Sequence, residues 1–342
     1  MQELEQMIET STLYDQYKVD YIDHAREFMF NDGAMLVPPG NMMVENPPPL
    51  MLTLWAWNQV FSKLGPAVFG HGSGKSLPSD YLLTIPPDLL ATNLNRHLNN
   101  ANSREWMVRA FQDMCRAVLS SDYSRIPNTE LLQAINLAVD AEASSFPDLE
   151  LVRPYIDVDD LNLKVLWKDI TGTNYGIGAY MGNGEIGNRK FRILPFIKRT
   201  SCNNSIIMNS ENGLELIHRG SPRSMMVQIK AAIGNIFNLS AGAVDLMIEA
   251  EGEKIPNFAD VIEGLSEKYG WSEEITNNAM LGTEGQQTRA GLVNGVSYAA
   301  RELEKSNDQI DMEILAGTLL TMDPNKLNRI ARIHQARERQ EE

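Results

Sequence analysis

The segment Arg189-Lys-Phe-Arg-Ile-Leu-Pro-Phe-Ile-Lys-Arg199 carries the residue types best suited to chemistry in this chain. As an extended strand it places Lys190, Arg192 and Lys198 on one face and Phe191 and Ile193 on the other, provided Pro195 does not shift the register. Basic side chains can follow a phosphate backbone while neighbouring rings stack bases, which is what a single-strand binding groove needs. The same alternation serves a solvated strand face, or one turned toward an acidic neighbour. From Ile186 to Lys230, eight basic residues (Arg189, Lys190, Arg192, Lys198, Arg199, Arg219, Arg223, Lys230) meet only Glu211 and Glu215, a net charge of +6. Asp245 to Glu284 holds ten acids against Lys254 and Lys268, a net charge of −8.

Other chemistries find less support. Gly70-His-Gly-Ser-Gly-Lys-Ser76 resembles a phosphate loop, but Phe69 stands where the first glycine is required and Leu77-Pro78 where the helix should begin. It reads as a loop. The five histidines are scattered and Cys115 and Cys202 have no close partners, so no transition-metal ligand set and no disulfide framework is expected. Asp157-Val-Asp-Asp160 could hold a hard cation, and reads more simply as a solvated turn. No Gly-x-Ser-x-Gly elbow is present. Glu185, in Asn183-Gly-Glu-Ile-Gly187, reads as a turn residue, with no partner in sequence to raise its pKa for base catalysis. No enzymatic activity, cofactor or metal is expected.

The 342 residues suffice for one large domain or a few small ones, and 43% apolar against 22% charged residues is ordinary for a globular chain. A net charge of −15 excludes a protein that is basic all over and simple adsorption to acidic membranes, while leaving room for a local basic groove. The acidic start lacks a basic region followed by an apolar run, and Asn58 and Gln59 interrupt the longest apolar stretch. The expectation is a reduced, cytoplasmic protein with no membrane partner.

The positioning elements can be read from periodicity. Leu50–Leu64 and Pro86–Leu98 carry helical spacing, and Asn128 could cap a helix over Glu130–Val139. Trp106–Phe111 and Cys115–Ser120 read as paired strands. Leu161–Lys168, Gly176–Met181 and Lys190–Thr200 follow as strands, with Asn183-Gly184 as a hairpin signal and Pro195 marking an edge or bulge. From Pro222, Met225, Ile229, Ile233, Ile236 and Leu239 recur at three and four, and helical segments continue to Gln340. Met225, Met226 and Met247 suit core packing before a partner groove. The expected fold is α+β, with central antiparallel β-hairpins packed on helices and a helical C-terminal third. Its divisions are an N-terminal segment 1–49, a core 50–250 and a helical region 251–342.

An ordered set of short motifs resembles one family. The set runs Ser62-Lys-Leu-Gly65, Leu77-Pro-Ser-Asp-Tyr81, Asn93-Leu-Asn95, Trp106-Met-Val-Arg109, Arg116-Ala-Val-Leu-Ser120, Asp122-Tyr123 and Pro127-Asn128. It continues with Asn183-Gly-Glu-Ile-Gly187, Pro195-Phe196, Cys202-Asn-Asn204 and Gly291-Leu-Val-Asn294. Over roughly residues 50–300 the chain is similar to the phage- and plasmid-encoded "domain of unknown function nine-three-two". It departs from that pattern at Cys202-Asn-Asn-Ser205, where the family usually has Cys-Thr-Asn-Gly, and the Pro38–Met51 segment has no counterpart. The strand-hairpin-helix middle is more distantly similar to single-strand annealing proteins of the RecT, Redβ and Erf kind. That resemblance implies an annealase-like core acting without ATP, as rings or filaments.

Charge and resemblance together lead to the expectation of a phage-type, homo-oligomeric protein that binds and anneals single-stranded DNA during recombination. Arg116, Arg125, Arg189, Lys190, Arg192, Lys198 and Arg199 would contact phosphates, and Tyr123 and Phe191 would stack bases. The alternative is a non-enzymatic assembly or counter-defence protein whose basic strand meets an acidic protein.

Overall fold

The computed structural model describes residues 2–40, 45–69, 84–100, 104–142, 150–169, 173–201, 204–209, 211 and 213–341. The glycine-rich loop 70–76, the 77–81 motif, Cys202-Asn203 and residues 146–149 of the 146–154 connector lie outside them.

The chain opens with helix α1 (Gln2–Asp15), strand β1 (Lys18–His24), the short pair β2 (Met29–Phe30) and β3 (Leu36–Val37), and β4 (Met51–Leu52). Helices α2 (Leu54–Phe69) and α3 (Pro87–Asn100) precede β5 (Glu105–Phe111) and β6 (Met114–Ser120). Helix α4 (Asn128–Glu142) leads to β7 (Glu150–Leu151), β8 (Tyr155–Ile156), β9 (Asp160–Asp169), β10 (Tyr175–Gly184), β11 (Phe191–Arg199), β12 (Ser205–Ile207) and β13 (Leu214–Leu216). The remainder is helical: α5 (Pro222–Gly252), α6 (Phe258–Tyr269), α7 (Glu273–Gly282), α8 (Arg289–Arg301), α9 (Ser306–Thr321) and α10 (Pro324–Glu341). The fold is mixed α+β with antiparallel sheets, the short β4–β6 contact being parallel. No single helix among the described residues is long and apolar enough to cross a membrane.

Two sheets form the frame. The first runs β1-β5-β6-β4 and buries Trp106, Val108, Ala110, Cys115 and Val118 against α2 and α3. The second is built on β9, β10 and β11, with β12 and β13 sharing one edge of β11 and β7 and β8 sharing one edge of β9. Strand alternation sorts its residues between two faces. Leu161, Leu163, Val165, Phe191 and Ile193 pack with α1, α4 and the first half of α5. Leu166, Tyr180, Leu194 and Phe196 pack with Ile207 and Ile310. A third core joins the second half of α5 to α6 through α10.

Pro195 is neither at an edge nor in a bulge. It stands opposite Ala179 in an unbroken register with β10. On its other side it falls between Phe196–Lys198, paired to β12, and Phe191–Ile193, paired to β13. A missing N–H is harmless where no strand sits opposite, and the Pro195 carbonyl still accepts from the Met208 N–H at 2.9 Å.

The β1 strand of segment 1–49 is hydrogen-bonded along its whole length to β5. The second sheet meets the C-terminal helices through a buried ion pair, Lys164 Nζ to Glu313 Oε1 and Oε2 at 2.8 and 2.7 Å. Asn204 and Asn294, which belong to two of the quoted motifs, meet where the Asn204 amide donates to the Asn294 carbonyl at 3.2 Å.

Candidate functional site

Strands β1 and β5 of the first sheet and the β10–β11 turn come together around Glu185. This residue, 1% exposed, accepts from Lys18 Nζ and from the Asn128 N–H, both at 2.9 Å. Arg109, on β5, donates to the Glu185 carbonyl, lies 3.6 Å from its carboxylate and donates to Asp20 at 2.9 Å. Burial works against the Arg109 charge, but Asp20 and Glu185 outweigh it and hold the guanidinium above its ordinary pKa. The Asn183 amide bridges the Ile126 carbonyl and Asn128 Oδ1. Asn128 thus opens α4 with its side-chain oxygen taken by Asn183. Trp55 and Gln59 of α2 both donate to the Ile186 carbonyl at 3.1 Å. Four segments far apart in sequence, at Lys18, Trp55–Gln59, Arg109 and Asn128, therefore pin one turn. Glu185 has the partners that no sequence spacing could show, and they make it the keystone of a structural ion network.

Above that turn lies a cleft of about 590 Å³, lined on one side by Ser120, Asp122 and Tyr123, and on the other by Gly187 to Lys190 and Ile217 to Gly220. The cations on its wall are Arg189, Lys190 and Arg219, and Asp122 is the one carboxylate among its lining residues. Arg189 donates to the neutral Asn162 amide oxygen at 3.1 Å, and Arg219 is exposed with no ion pair among the described residues. Tyr123 stacks on His218, with ring centroids 4.9 Å apart and planes 16° from parallel. Its hydroxyl donates to the Gly184 carbonyl at 2.9 Å, and burial raises its pKa.

His218 is 3% exposed, and burial lowers its pKa to about 4, so the ring is neutral near neutral pH. Its Nδ1 lies 3.2 Å from the Ser124 carbonyl, which can only accept, so Nδ1 bears the proton. Nε2 is then an acceptor, buried and without a hydrogen-bond partner among the described residues.

The strand expected to form the groove is electrostatically matched. Arg192 and Lys198 do alternate with Phe191 and Ile193, but Lys190 and Arg192 share Glu215, with Arg192 Nε at 2.9 Å. Burial opposes the Glu215 charge, yet the two bases hold its pKa below the usual range. Lys198 meets Glu150 at 2.9 Å, and Arg199 meets Glu284 at 3.3 Å. Glu150 and Glu284 lie outside the +6 segment, so the sequence count overstated the field at the strand.

Three further site expectations change with the structure. Phe191 is 1% exposed in the core against α4 and α5, where no base can reach it. Arg116 is 3% exposed, donates to the Val158 carbonyl and pairs with Asp159, which closes it to a phosphate. Arg125 is accessible but pairs with Asp20 at 3.0 Å. Arg189, Lys190 and Tyr123 are the expected residues that the cleft brings together; Arg219 and His218 are those the expectation left out. The run Ile217-His-Arg-Gly220, placed between a strand and the proline-started α5, was the available signal.

Asp157 accepts from the Asp159 and Asp160 N–H groups, which makes the acidic run a tight turn. Among the described residues no group of three or more metal-ligating side chains comes together. Met225 and Met247 are core residues. Comparison with protein families, curated proteins and solved structures finds no match, so the family resemblance rests on the quoted motifs alone.

Proposed function

We propose that the chain binds single-stranded DNA through the cleft between the first sheet and the β10–β11 turn and, as a homo-oligomer in a bacterial cytoplasm, promotes strand annealing without ATP. The carrying observation is the meeting of Arg189 and Arg219, which have no carboxylate partner among the described residues, with the Tyr123 ring in one cleft. Lys190 there is already paired with Glu215, and Asp122 is the one carboxylate among the described lining residues. Cations placed around an aromatic are what a base-stacking, phosphate-tracking site requires. Annealing and oligomerisation draw their support from the motif resemblance.

The test is fluorescence anisotropy of a labelled single-stranded oligonucleotide across a salt series. The variants are Arg189→Ala/Arg219→Ala in the cleft and Lys198→Ala/Arg199→Ala on the strand. Each lost phosphate contact lowers the slope of log affinity against log salt by roughly 0.7, so the cleft variant should bind weakly with a slope shallower by about 1.4. The strand variant should keep the wild-type slope, because those cations already have carboxylate partners. A folded wild type that binds no oligonucleotide would overturn the reading and favour a protein partner.

A further inference from the structure

The cleft does not end at its own wall. Arg219 and Gly220 line it, and α5 begins two residues later with Pro222 at its first turn. The N-cap residue Ser221 could satisfy one of the open N–H groups of that turn, yet its side chain makes no capping bond. No acidic residue stands in the first turn, and none occurs anywhere from Leu216 to Val244.

Over the same span Arg223, Val227 and Lys230 fall at helical spacing on one outward stripe, Val227 being 64% exposed. Neither Arg223 nor Lys230 has an ion pair among the described residues. The acids of α5 are confined to its last two turns, at Asp245, Glu249 and Glu251.

This distribution opposes the helix dipole at both ends. Anions stabilise an N-terminus and cations a C-terminus, each by roughly 0.3–1 kcal/mol, and α5 does the reverse. Helix stability therefore does not account for its charges, whereas a polyanion seated at its open N-terminus does. Beside that N-terminus, the neutral His218 lines the cleft and leaves Nε2 buried and without a hydrogen-bond partner among the described residues. It is an acceptor that a base N–H can satisfy and a phosphodiester, having no proton to give, cannot.

We propose that the cleft and the first turn of α5 anchor one phosphate of the strand, and that the Arg223–Val227–Lys230 stripe carries the nucleotides that follow. Arg223 and Lys230 are seven residues apart, about 10 Å along the helix, which spans about three phosphates of a stacked strand. The ligand is therefore an oligonucleotide rather than a free nucleotide or inorganic phosphate. This inference rests on the cleft reading and adds the direction in which the strand leaves it.

The test uses labelled thymidine oligomers of roughly two to twelve nucleotides, with inorganic phosphate and thymidine monophosphate as competitors. The full-length wild type is compared with Arg223→Gln/Lys230→Gln and with Arg189→Ala/Arg219→Ala, and circular dichroism establishes that each is folded. Wild-type affinity should climb with length. In Arg223→Gln/Lys230→Gln that climb should vanish and the salt slope for long oligomers fall by about 1.4, whereas the cleft variant should bind every length more weakly.

Length-independent affinity, or a climb and slope unaltered in Arg223→Gln/Lys230→Gln, would overturn the inference while leaving the cleft in place. Displacement of a long oligomer by inorganic phosphate as readily as of a short one would do the same. Failure of the wild type to bind any length would overturn both.

Discussion

The pair Lys164–Glu313 permits a quantitative test of how the second sheet is joined to the C-terminal helices. Both side chains are almost wholly buried, and the ammonium reaches both carboxylate oxygens. Burial raises the Glu313 pKa and the lysine beside it opposes that rise. Substituting Glu313→Leu leaves a buried ammonium without its carboxylate partner. It can escape by giving up its proton, which at pH 7 costs about 4–5 kcal/mol for a group with an ordinary pKa near 10.4. Substituting Lys164→Met leaves a carboxylate that escapes by taking a proton, at about 3–4 kcal/mol. Removing both charges in Lys164→Met/Glu313→Leu should restore stability to within about 1–2 kcal/mol of wild type, since the desolvation cost goes with them.

The two single variants should also show pH slopes of opposite sign. In Lys164→Met the folded state holds a proton that the unfolded state has lost above about pH 4.5. Its stability should therefore fall as pH rises, by up to about 1.4 kcal/mol per pH unit. In Glu313→Leu the unfolded state holds the extra proton below about pH 10.4, so stability should rise with pH. Urea unfolding followed by circular dichroism between about pH 5.5 and 8.5 reads both effects. A double variant as unstable as the two single losses added together, or flat profiles in both single variants, would refute the picture of a closed, mutually dependent pair.

His218, whose folded pKa is lowered from 6.5 to about 4, makes a separate pH prediction. Its contribution is fully present above about pH 6.5 and is lost as pH falls through 4, reaching about 3 kcal/mol. Acid unfolding of His218→Gln should lack that share. Gly187 adopts φ +75°, and a Cβ there would lie 2.9 Å from Leu119 Cδ2. Gly187→Ala should cost about 1–3 kcal/mol in urea unfolding and weaken oligonucleotide binding by displacing the turn that carries Arg189.

Local patterning made much of the frame legible. The β5–β6 pair, the strands β9 to β11 and the start of α5 lie close to where periodicity and turn residues put them. Even the alternation along β11 holds, because a period of two is a property of the extended backbone and survives the presence of Pro195. Pro195 itself was misread. Whether a proline harms a sheet depends on what stands opposite its nitrogen, and the gap between β12 and β13 is made by chain more than ten residues downstream.

Charge was legible as a count and not as a field. The sequence by itself determined that cations gather between Ile186 and Lys230, and that Leu216 to Val244 contains no acid. Tertiary structure alone decided which of those cations are neutralised. Glu150 and Glu284 come from distant elements to Lys198 and Arg199, while Arg219, Arg223 and Lys230 have no carboxylate partner among the described residues. The same holds for Glu185, a turn residue by its neighbours in sequence and a buried ion by its neighbours in space. The physical reason is range. Backbone periodicity is set by adjacent residues, whereas a charge answers to whatever lies within a few ångströms of it, and folding chooses those neighbours from the whole chain.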